Sequence, residues 1–311
     1  MPRPRSFAKS RGGATLIAIG LIALTVAAVG LSVAALRQGR GPGDVDATVG
    51  PAPTFTYAVR TPTATATPTA SASPTPAGAP GAAERFLSVG ADAMWRATAG
   101  ACGGAAPVVE RSGDNGATWQ SVTPTTKGAV QVLSLTSFGG RNATAVAALG
   151  ASCTLNTLRT YTDGRFWEPY PDIFAVDTYV LPGERAVIVD GTRIAAPCAT
   201  PWGLRSAGST TAIVCDDAAY RLDGQNWTRL AQAARAVAVS ADTVYIAQTD
   251  AVCSGIRITA HSSDATGTSD LGCTTLDAAD AAGPLALDAS SSASGTVLTL
   301  WAGSRLIDIA G

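Results

Sequence analysis

The chain has few of the residues that metal sites and nucleic-acid-binding proteins need. It contains a single histidine, His261, and none of its six cysteines is arranged as C-x-x-C. Both features argue against a zinc site, since zinc takes Cys and His ligands at short spacings. From Ala83 onward acidic residues outnumber basic ones, and no basic cluster appears. The sequence therefore predicts no metal, no cofactor and no nucleic-acid partner, because phosphate backbones are bound by clustered positive charge.

The longest hydrophobic run lies near the N-terminus and carries no charge over residues 14–36. This length is sufficient for a helix that spans a hydrocarbon core of roughly 30 Å. The basic residues before the run outnumber those after it, which places the N-terminus in the cytoplasm. We therefore predict a cytoplasmic segment over residues 1–13, a transmembrane signal anchor over residues 14–36 and a cell-membrane protein whose C-terminal part is extracellular. The alternative is a cleaved signal peptide, although the apolar region of such peptides usually spans only about 7 to 15 residues.

Residues 37–83 are rich in Thr, Pro, Ala, Ser and Gly and lack the apolar periodicity of a folded domain. Such a composition cannot bury enough apolar surface to offset the entropy of ordering. The segment is predicted to be a disordered stalk. The preference for Arg over Lys, together with the many alanines, is typical of a high-GC bacterial genome.

All six cysteines follow the stalk, as expected for a domain in an oxidising compartment. Three disulfides are the simplest hypothesis, and six cysteines allow 15 connectivities. Proximity along the chain favours three pairs, Cys198–Cys215, Cys253–Cys273 and the remaining Cys102–Cys153.

Residues 84–311 contain a repeated unit of short strands separated by Gly, Asn and Asp. Clear copies begin near Phe86, Val130 and Gly203, a shortened copy spans residues 179–199, and weaker copies begin near Val237 and Leu285. Such regular spacing predicts an all-β domain of antiparallel sheets built by repetition. We expect a β-propeller of about six small blades, with five to seven possible. Because the last unit is one strand short, a strand near residues 85–89 is expected to complete it.

The first unit contains Ser112-Gly113-Asp114-Asn115-Gly116-Ala117-Thr118-Trp119, which resembles the S-x-D-x-G-x-T-W pattern of the Asp-box, or BNR, repeat. Degenerate copies follow at residues 162–167 and 223–227. The resemblance implies a propeller like those of sialidases, sortilin-type receptors and the photosystem II assembly factor family, with the box between the third and fourth strands of a blade. The implied roles are structural and fall on Ser112, Asp114, Gly116, Thr118, Trp119, Asp163, Gly164, Trp167, Asp223, Gly224 and Trp227.

A sialidase would be the enzymatic interpretation of this resemblance, because that family implies an arginine triad, a Tyr/Glu nucleophilic pair and an Asp acid/base. The sequence offers these residue types without showing that they meet: Arg96, Arg159, Arg205, Arg257, Tyr161, Tyr179, Tyr220, Tyr245, Glu110, Glu168 and Glu184. No catalytic set can be assigned from the sequence. His261 has no nearby nucleophile and is expected on the surface of a polar loop, and Asp216 and Asp217 are expected in a solvated turn rather than at a cation.

The preferred hypothesis is a membrane-anchored binding or scaffolding module that contacts a protein or glycan of the cell envelope. The alternatives are a sialidase-like glycoside hydrolase and an envelope sensor or assembly factor. An enzymatic role stays open at this point, with a binding role favoured.

Overall fold

The computed structural model describes residues 78–263, 267–292 and 295–310. The predicted cytoplasmic segment, the predicted transmembrane helix and residues 37–77 of the predicted stalk lie outside these residues and stay predictions. The last residues of the predicted stalk include a 3-10 helix, Gly81–Ala83. Within the described residues, no helix has the length and apolar character needed to cross a bilayer.

Six antiparallel sheets follow one another along the chain. Blade 1 comprises β1 (Arg85–Val89), β2 (Met94–Thr98), β3 (Val108–Ser112) and β4 (Gln120–Ser121). Blade 2 comprises β5 (Ala129–Phe138), β6 (Asn142–Leu149), β7 (Thr154–Thr160) and β8 (Glu168–Pro169). A short helix, α1 (Pro171–Phe174), leads into blade 3, which comprises β9 (Tyr179–Val180), β10 (Ala186–Val189) and β11 (Thr192–Ala195).

The remaining blades complete the ring. Blade 4 comprises β12 (Trp202–Ala207), β13 (Thr210–Cys215), β14 (Ala218–Asp223) and β15 (Asn226–Gln232). Blade 5 comprises β16 (Ala234–Ser240), β17 (Thr243–Asp250), β18 (Cys253–Ser262) and β19 (Thr268–Thr275). After the short helix α2 (Ala278–Ala282), blade 6 comprises β20 (Leu285–Ser292), β21 (Gly295–Ala302) and β22 (Arg305–Ala310).

The all-β, six-bladed propeller predicted from the repeats is confirmed, but the predicted closure is wrong. Strand β1 pairs with β2 in blade 1, and its register runs from Arg85 opposite Thr98 to Val89 opposite Met94. The described part of blade 6 has three strands, in the order β20-β21-β22. Blade 1 therefore has its own complete set of four strands, and the ring closes by side-chain packing between β1 and β20.

Apolar side chains between neighbouring blades form the core. Buried clusters join blades 1 and 2, 3 and 4, 4 and 5, 5 and 6, and 6 and 1. Strand β13, the second strand of blade 4, lies between two of these clusters, and every one of its residues is buried. This pattern is expected for strands packed between two neighbouring sheets. Among the described residues no such cluster joins blades 2 and 3, so this seam differs from the other five.

The two faces of the ring are distinguished by their turns. We call the side with the turns between first and second strands the hairpin face, and the opposite side the crossover face. Strand β12 lies at the channel and runs from Trp202 near the crossover face to Ser206 near the hairpin face. Strand β9 runs the other way, since Thr178 lies near the hairpin face and Val180 near the crossover face. The innermost strand of blade 3, β9, therefore runs in the direction opposite to β12, and blade 3 lacks an inner strand with the usual direction.

Three disulfides are present, and all of them lie near the crossover face. Cys102–Cys153 joins loops of blades 1 and 2, and Cys198–Cys215 joins the segment after β11 to the end of β13. Cys253–Cys273 lies within blade 5. The predicted use of disulfides is confirmed, and no free cysteine exists in the described part of the chain.

Candidate functional site

The central channel opens on the hairpin face as a cavity of about 330 Å³. Every blade contributes to its wall, because the innermost strands converge there. One residue from each blade, in order, is Ser88, Thr136, Asp190, Arg205, Val239 and Asp288. The wall combines hydroxyls, carboxylates and one guanidinium, and it therefore offers both hydrogen-bond donors and acceptors. We call this cavity the hairpin mouth.

Among the described residues that line the hairpin mouth, Arg205 is the only basic one. Its Nη1 donates to the carbonyl of Leu204 at 3.0 Å, and its guanidinium carbon lies 5.5 Å from the centre of the Phe86 ring. Its Nε is buried and has no hydrogen-bond partner in the described structure. Burial lowers the pKa of Arg205, although Asp288 and Glu84 act in the opposite direction. The guanidinium therefore retains unused donor capacity beside the cavity.

Asp288 lies on β20, opposite blade 1. Its Oδ2 accepts the backbone N–H of Val89 at 3.0 Å, which fixes the carboxyl across the junction of blades 6 and 1. Burial raises the pKa of Asp288 to about 6, while the N–H groups of Val89 and Ala289 and the charge of Arg205 oppose this shift. At neutral pH the carboxyl is mostly ionised, and it gains a proton within the mildly acidic range.

The channel also opens on the crossover face, as a cavity of about 230 Å³ that we call the crossover mouth. Ala79, Gly81 and Glu84 help to line it. Glu84 accepts the backbone N–H of Gly203 at 2.8 Å. Burial raises its pKa, against the effects of the Gly203 N–H and Arg205. The first described residues of the chain thus lie at this mouth, and the hairpin mouth is the larger of the two cavities.

Hydrogen bonds between blades hold the hairpin mouth in shape. The hydroxyl of Ser88 lies 3.0 Å from that of Ser137 and accepts the Ser137 N–H at 2.8 Å. Thr157 donates its hydroxyl to Asp177 at 2.6 Å, which connects blade 2 to the segment before β9. These contacts fix the wall residues before any ligand arrives, so the site is preorganised.

The loop between β3 and β4 contains an internal polar network. Asp114 accepts the N–H of Thr118 at 2.9 Å and its hydroxyl at 2.6 Å, and Ser112 donates its hydroxyl to Asp114 at 2.7 Å. The Thr118 hydroxyl and amide, followed by the Ser112 hydroxyl, lower the pKa of Asp114 to about 2. Gly116 adopts φ +84°, and its N–H donates to Ser112 Oγ at 2.8 Å. The network is internal to the loop and lies outside the hairpin mouth.

The second loop follows the same plan with different residues. Here Thr160 accepts the N–H of Gly164 at 3.0 Å, as Ser112 accepts that of Gly116, and Thr162 accepts the N–H of Phe166 at 3.0 Å, as Asp114 accepts that of Thr118.

Asp163, which we assigned to the box, therefore occupies the place of Asn115. Both have φ close to +56°. Its carboxylate pairs instead with Arg111 at 2.9 Å and with Arg141. This pairing connects blade 1 to blade 2 outside the predicted turn network.

The third predicted copy is a tight hairpin. Asp223 and Asn226 are paired in the ladder between β14 and β15, which leaves only Gly224 and Gln225 in the turn. The tryptophans of the second and third copies both reach the preceding blade. Trp167 donates its indole N–H to the carbonyl of Val122 at 2.9 Å, and Trp227 donates to that of Ala195 at 2.8 Å. Trp119 instead donates to Gly116 within its own loop at 3.0 Å.

The sialidase residues do not converge. Arg96, Arg159, Arg205 and Arg257 lie in four different blades. Arg96 pairs with Glu110 at 2.7 Å, and Arg257 pairs with Asp250 and Asp270 at 2.6 and 2.5 Å. Only Arg205 reaches the hairpin mouth. These four side chains therefore do not form the arginine triad that the sialidase alternative requires.

His261 is not in a surface loop as expected. It belongs to strand β18, where its two ring nitrogens lie 3.3 Å from the hydroxyls of Thr259 and Thr268. Burial and the charge of Arg221 lower its pKa. Asp216 and Asp217 form the turn between β13 and β14, both with positive φ. Across the described residues, no group of three or more His, Cys, Asp or Glu side chains could hold a metal ion.

Sequence reasoning missed Glu84 and Asp288. A usable signal was present, because Asp288 interrupts an apolar strand (Leu-Ala-Leu-Asp-Ala), where an acidic residue needs a partner or a site. Arg205 was considered only as one of several arginines for a sialidase.

The fold and site together define an all-β, six-bladed propeller with a polar channel mouth. No protein family and no curated protein matches the sequence. Solved structures with a similar fold include SapL1 lectin in complex with alpha methyl fucoside, at 12% identity and a TM-score of 0.41, covering 72% of this chain and 94% of the lectin.

Two further neighbours have lower TM-scores. YCF48 bound to D1 peptide is 16% identical with a TM-score of 0.28, over 74% of this chain and 66% of its own. The Hadza microbial sialidase Hz136 is 9% identical with a TM-score of 0.35, and the match covers 71% of this chain and 50% of the sialidase. These values are too low to assign a family, so membership of the Asp-box repeat family stays a prediction.

Proposed function

We propose that this protein is a binding module that holds a sugar residue of a glycan in the hairpin mouth. The observation that carries the proposal is the preorganised wall, in which Arg205 and Asp288 face one cavity among serine and threonine hydroxyls. Sugar hydroxyls both donate and accept hydrogen bonds, and a neutral sugar can satisfy the guanidinium and the carboxylates together. A cavity of about 330 Å³ is at the small end of the range for ligand sites.

The proposed setting is the outer surface of a cell membrane. The support comes from the sequence: an uncharged run over residues 14–36 preceded by basic residues, a Thr/Pro-rich segment after it, and cysteines confined to the region beyond. In this setting the ligand is a glycan of the cell envelope. Protease digestion of intact cells tests the orientation, since the propeller should be degraded from outside; its protection in intact cells would contradict the proposed topology.

Binding to the hairpin mouth is tested with neutral monosaccharides, including N-acetylated ones, by isothermal titration calorimetry. Arg205→Met and Asp288→Asn should each weaken binding by at least about tenfold, because each removes a charged hydrogen-bonding partner worth about 1.5–3 kcal/mol. Arg305→Met is the matched control, since Arg305 is half-exposed and lies outside the hairpin mouth. Binding that persists unchanged in both mouth variants would refute the site.

Glycoside hydrolysis is a second candidate function, favoured by one observation. The pKa of Asp288 is raised to about 6, and Asp177 and Asp190 line the same mouth. A carboxyl that gains a proton in mildly acidic solution and shares a cavity with other carboxylates meets one requirement for cleaving glycosidic bonds. Aryl glycosides test this function. Release of p-nitrophenol by the unsubstituted protein but not by Asp288→Asn would support hydrolysis, whereas binding without turnover would exclude it.

A further inference from the structure

Blade 2 carries a group of three aromatic rings around one arginine. The rings of Phe138 and Tyr161 are 5.3 Å apart at 81°, and those of Tyr161 and Tyr170 are 6.1 Å apart at 56°. The guanidinium carbon of Arg159 lies 4.6 Å from the Phe138 ring and 5.8 Å from the Tyr170 ring. We call Phe138, Arg159, Tyr161 and Tyr170 the aromatic platform.

The platform is held in place but not covered. Arg159 donates from Nε to the hydroxyl of Thr144 at 3.0 Å and from Nη1 to the hydroxyl of Tyr161 at 3.5 Å. Tyr161 nevertheless stays 53% exposed. A ring that served only to pack the fold would be buried, because burying an aromatic side chain is strongly favourable. The structure thus fixes the orientation of an exposed ring.

The platform is uncovered because of the unusual seam between blades 2 and 3. Leu135 and Leu158 turn toward blade 1 and join its buried cluster. Phe138 and Arg159 occupy alternate positions on the same strands, so they face blade 3. At this seam blade 3 has only the two-residue strand β9 as its innermost element, and it offers the platform no buried apolar cluster in the described structure.

The platform is continuous with the hairpin mouth. Thr136 lines the mouth and precedes Phe138 by two residues, so both side chains lie on one face of β5. Thr136 is also opposite Thr144, the hydrogen-bond partner of Arg159. On the other side, Tyr170 donates its N–H to the carbonyl of Thr157 at 2.8 Å, and the Thr157 hydroxyl binds Asp177 of the mouth. One surface therefore runs from the cavity to the rings.

We propose that the aromatic platform is an outer subsite for the second and third residues of a neutral oligosaccharide whose first residue occupies the hairpin mouth. The inference rests on the proposed function and specifies its ligand as a chain rather than a single sugar. The C–H face of a pyranose ring packs on the exposed face of Tyr161, and Arg159 and the Tyr161 hydroxyl supply hydrogen bonds to ring substituents. Charge disfavours an anionic chain, since Asp177, Asp190 and Asp288 outnumber Arg205 on the wall of the mouth.

The experiment measures how affinity depends on chain length. Cello-, malto-, manno- and chito-oligosaccharides of one to four residues are titrated calorimetrically into the full-length protein. In the series that binds, the trisaccharide should bind at least about tenfold more tightly than its monosaccharide, which is about 1.4 kcal/mol. Tyr161→Ala should remove this gain and leave monosaccharide binding unchanged, while Tyr161→Phe should keep most of it.

Phe166→Ala is the matched control, because Phe166 is 69% exposed in the same loop but makes no ring contact with the platform in the described structure. An unchanged thermal midpoint shows that each variant is folded. If the length-dependent gain is absent, or survives in Tyr161→Ala, the platform is not a subsite, although the proposed function stands.

If no sugar of any length binds, both proposals fail. Binding of a proline-rich peptide in place of sugars, lost in Tyr161→Ala, would assign the platform to protein recognition and overturn the inference.

Discussion

Asp288 provides the sharpest test of the channel chemistry. Its pKa is raised from 3.8 to about 6 by burial, so the native carboxyl holds its proton more tightly than the unfolded one. Its contribution to stability is fully present below the unfolded pKa and is lost as the pH rises from about 4 to about 6. The shift corresponds to about 3 kcal/mol, at about 1.36 kcal/mol per pH unit. Asp288→Asn removes this pH-dependent loss and keeps an oxygen for the N–H of Val89.

We therefore expect the free energy of unfolding of Asp288→Asn, relative to that of the unsubstituted protein, to rise by about 2 kcal/mol between pH 4.5 and pH 7.5. The free energy of unfolding is measured by urea denaturation at both pH values with the disulfides intact. Taking the difference between the two proteins cancels groups that titrate in both. Asp242→Asn, in the exposed turn before β17, controls for a general effect of removing a carboxylate. A difference that is independent of pH, or that favours Asp288 at pH 7.5, would show that attraction to Arg205 outweighs burial.

The remaining predictions concern how the ring is held together. Removing Cys102–Cys153, which closes a sequence separation of 51, should lower the free energy of unfolding by about 4 kcal/mol. Removing Cys198–Cys215, with a separation of 17, should lower it by about 3 kcal/mol. Urea denaturation of the paired Cys→Ser variants checks this order, and a reversed order would contradict the loop-entropy reasoning. Trp301→Ala should cost about 3–5 kcal/mol, because Trp301 is buried between blades 6 and 1; thermal denaturation measures the loss, and a shift of under about 2 °C would show that the junction does not depend on this ring.

Much of the fold could be predicted because the repeat encodes it locally. Each unit supplies its own strands and turns, so the blades are visible in the sequence without knowledge of distant contacts. Blade 3 resisted this reasoning. The segment before Tyr179 forms α1 and a loop where the other blades have an inner strand, and no local pattern shows that β9 runs in reverse. The prediction of how the ring closes was wrong for a similar reason, since the pairing partner of Arg85 is set by tertiary packing.

The candidate site was much harder to predict than the fold. Its residues come from all six blades, and the contact between Val89 and Asp288 spans a sequence separation of 199. Only the closed ring brings such residues to one cavity. The platform was hidden as well, because Tyr161 and Phe138 look like ordinary strand-end aromatics until the missing core between blades 2 and 3 is seen. Asp163 shows the same limit within a loop. The place of the box aspartate is taken by Thr162, one residue before the Asp163 to which the prediction assigned it.

The placement of the disulfides has a mechanical consequence. The carbonyl of Ala82 accepts the N–H of Gly100 at 3.0 Å, two residues before Cys102. The carbonyl of Glu84 likewise accepts the N–H of Ala99 at 2.8 Å, so a pulling force applied at the N-terminal end of the propeller reaches a loop that is covalently linked to blade 2. Strand β22 is held by its hydrogen bonds to β21 and by apolar packing, in a blade that contains no cysteine. The disulfide therefore reinforces the N-terminal attachment and not β22, and the hairpin mouth lies on the side away from the reinforced attachment.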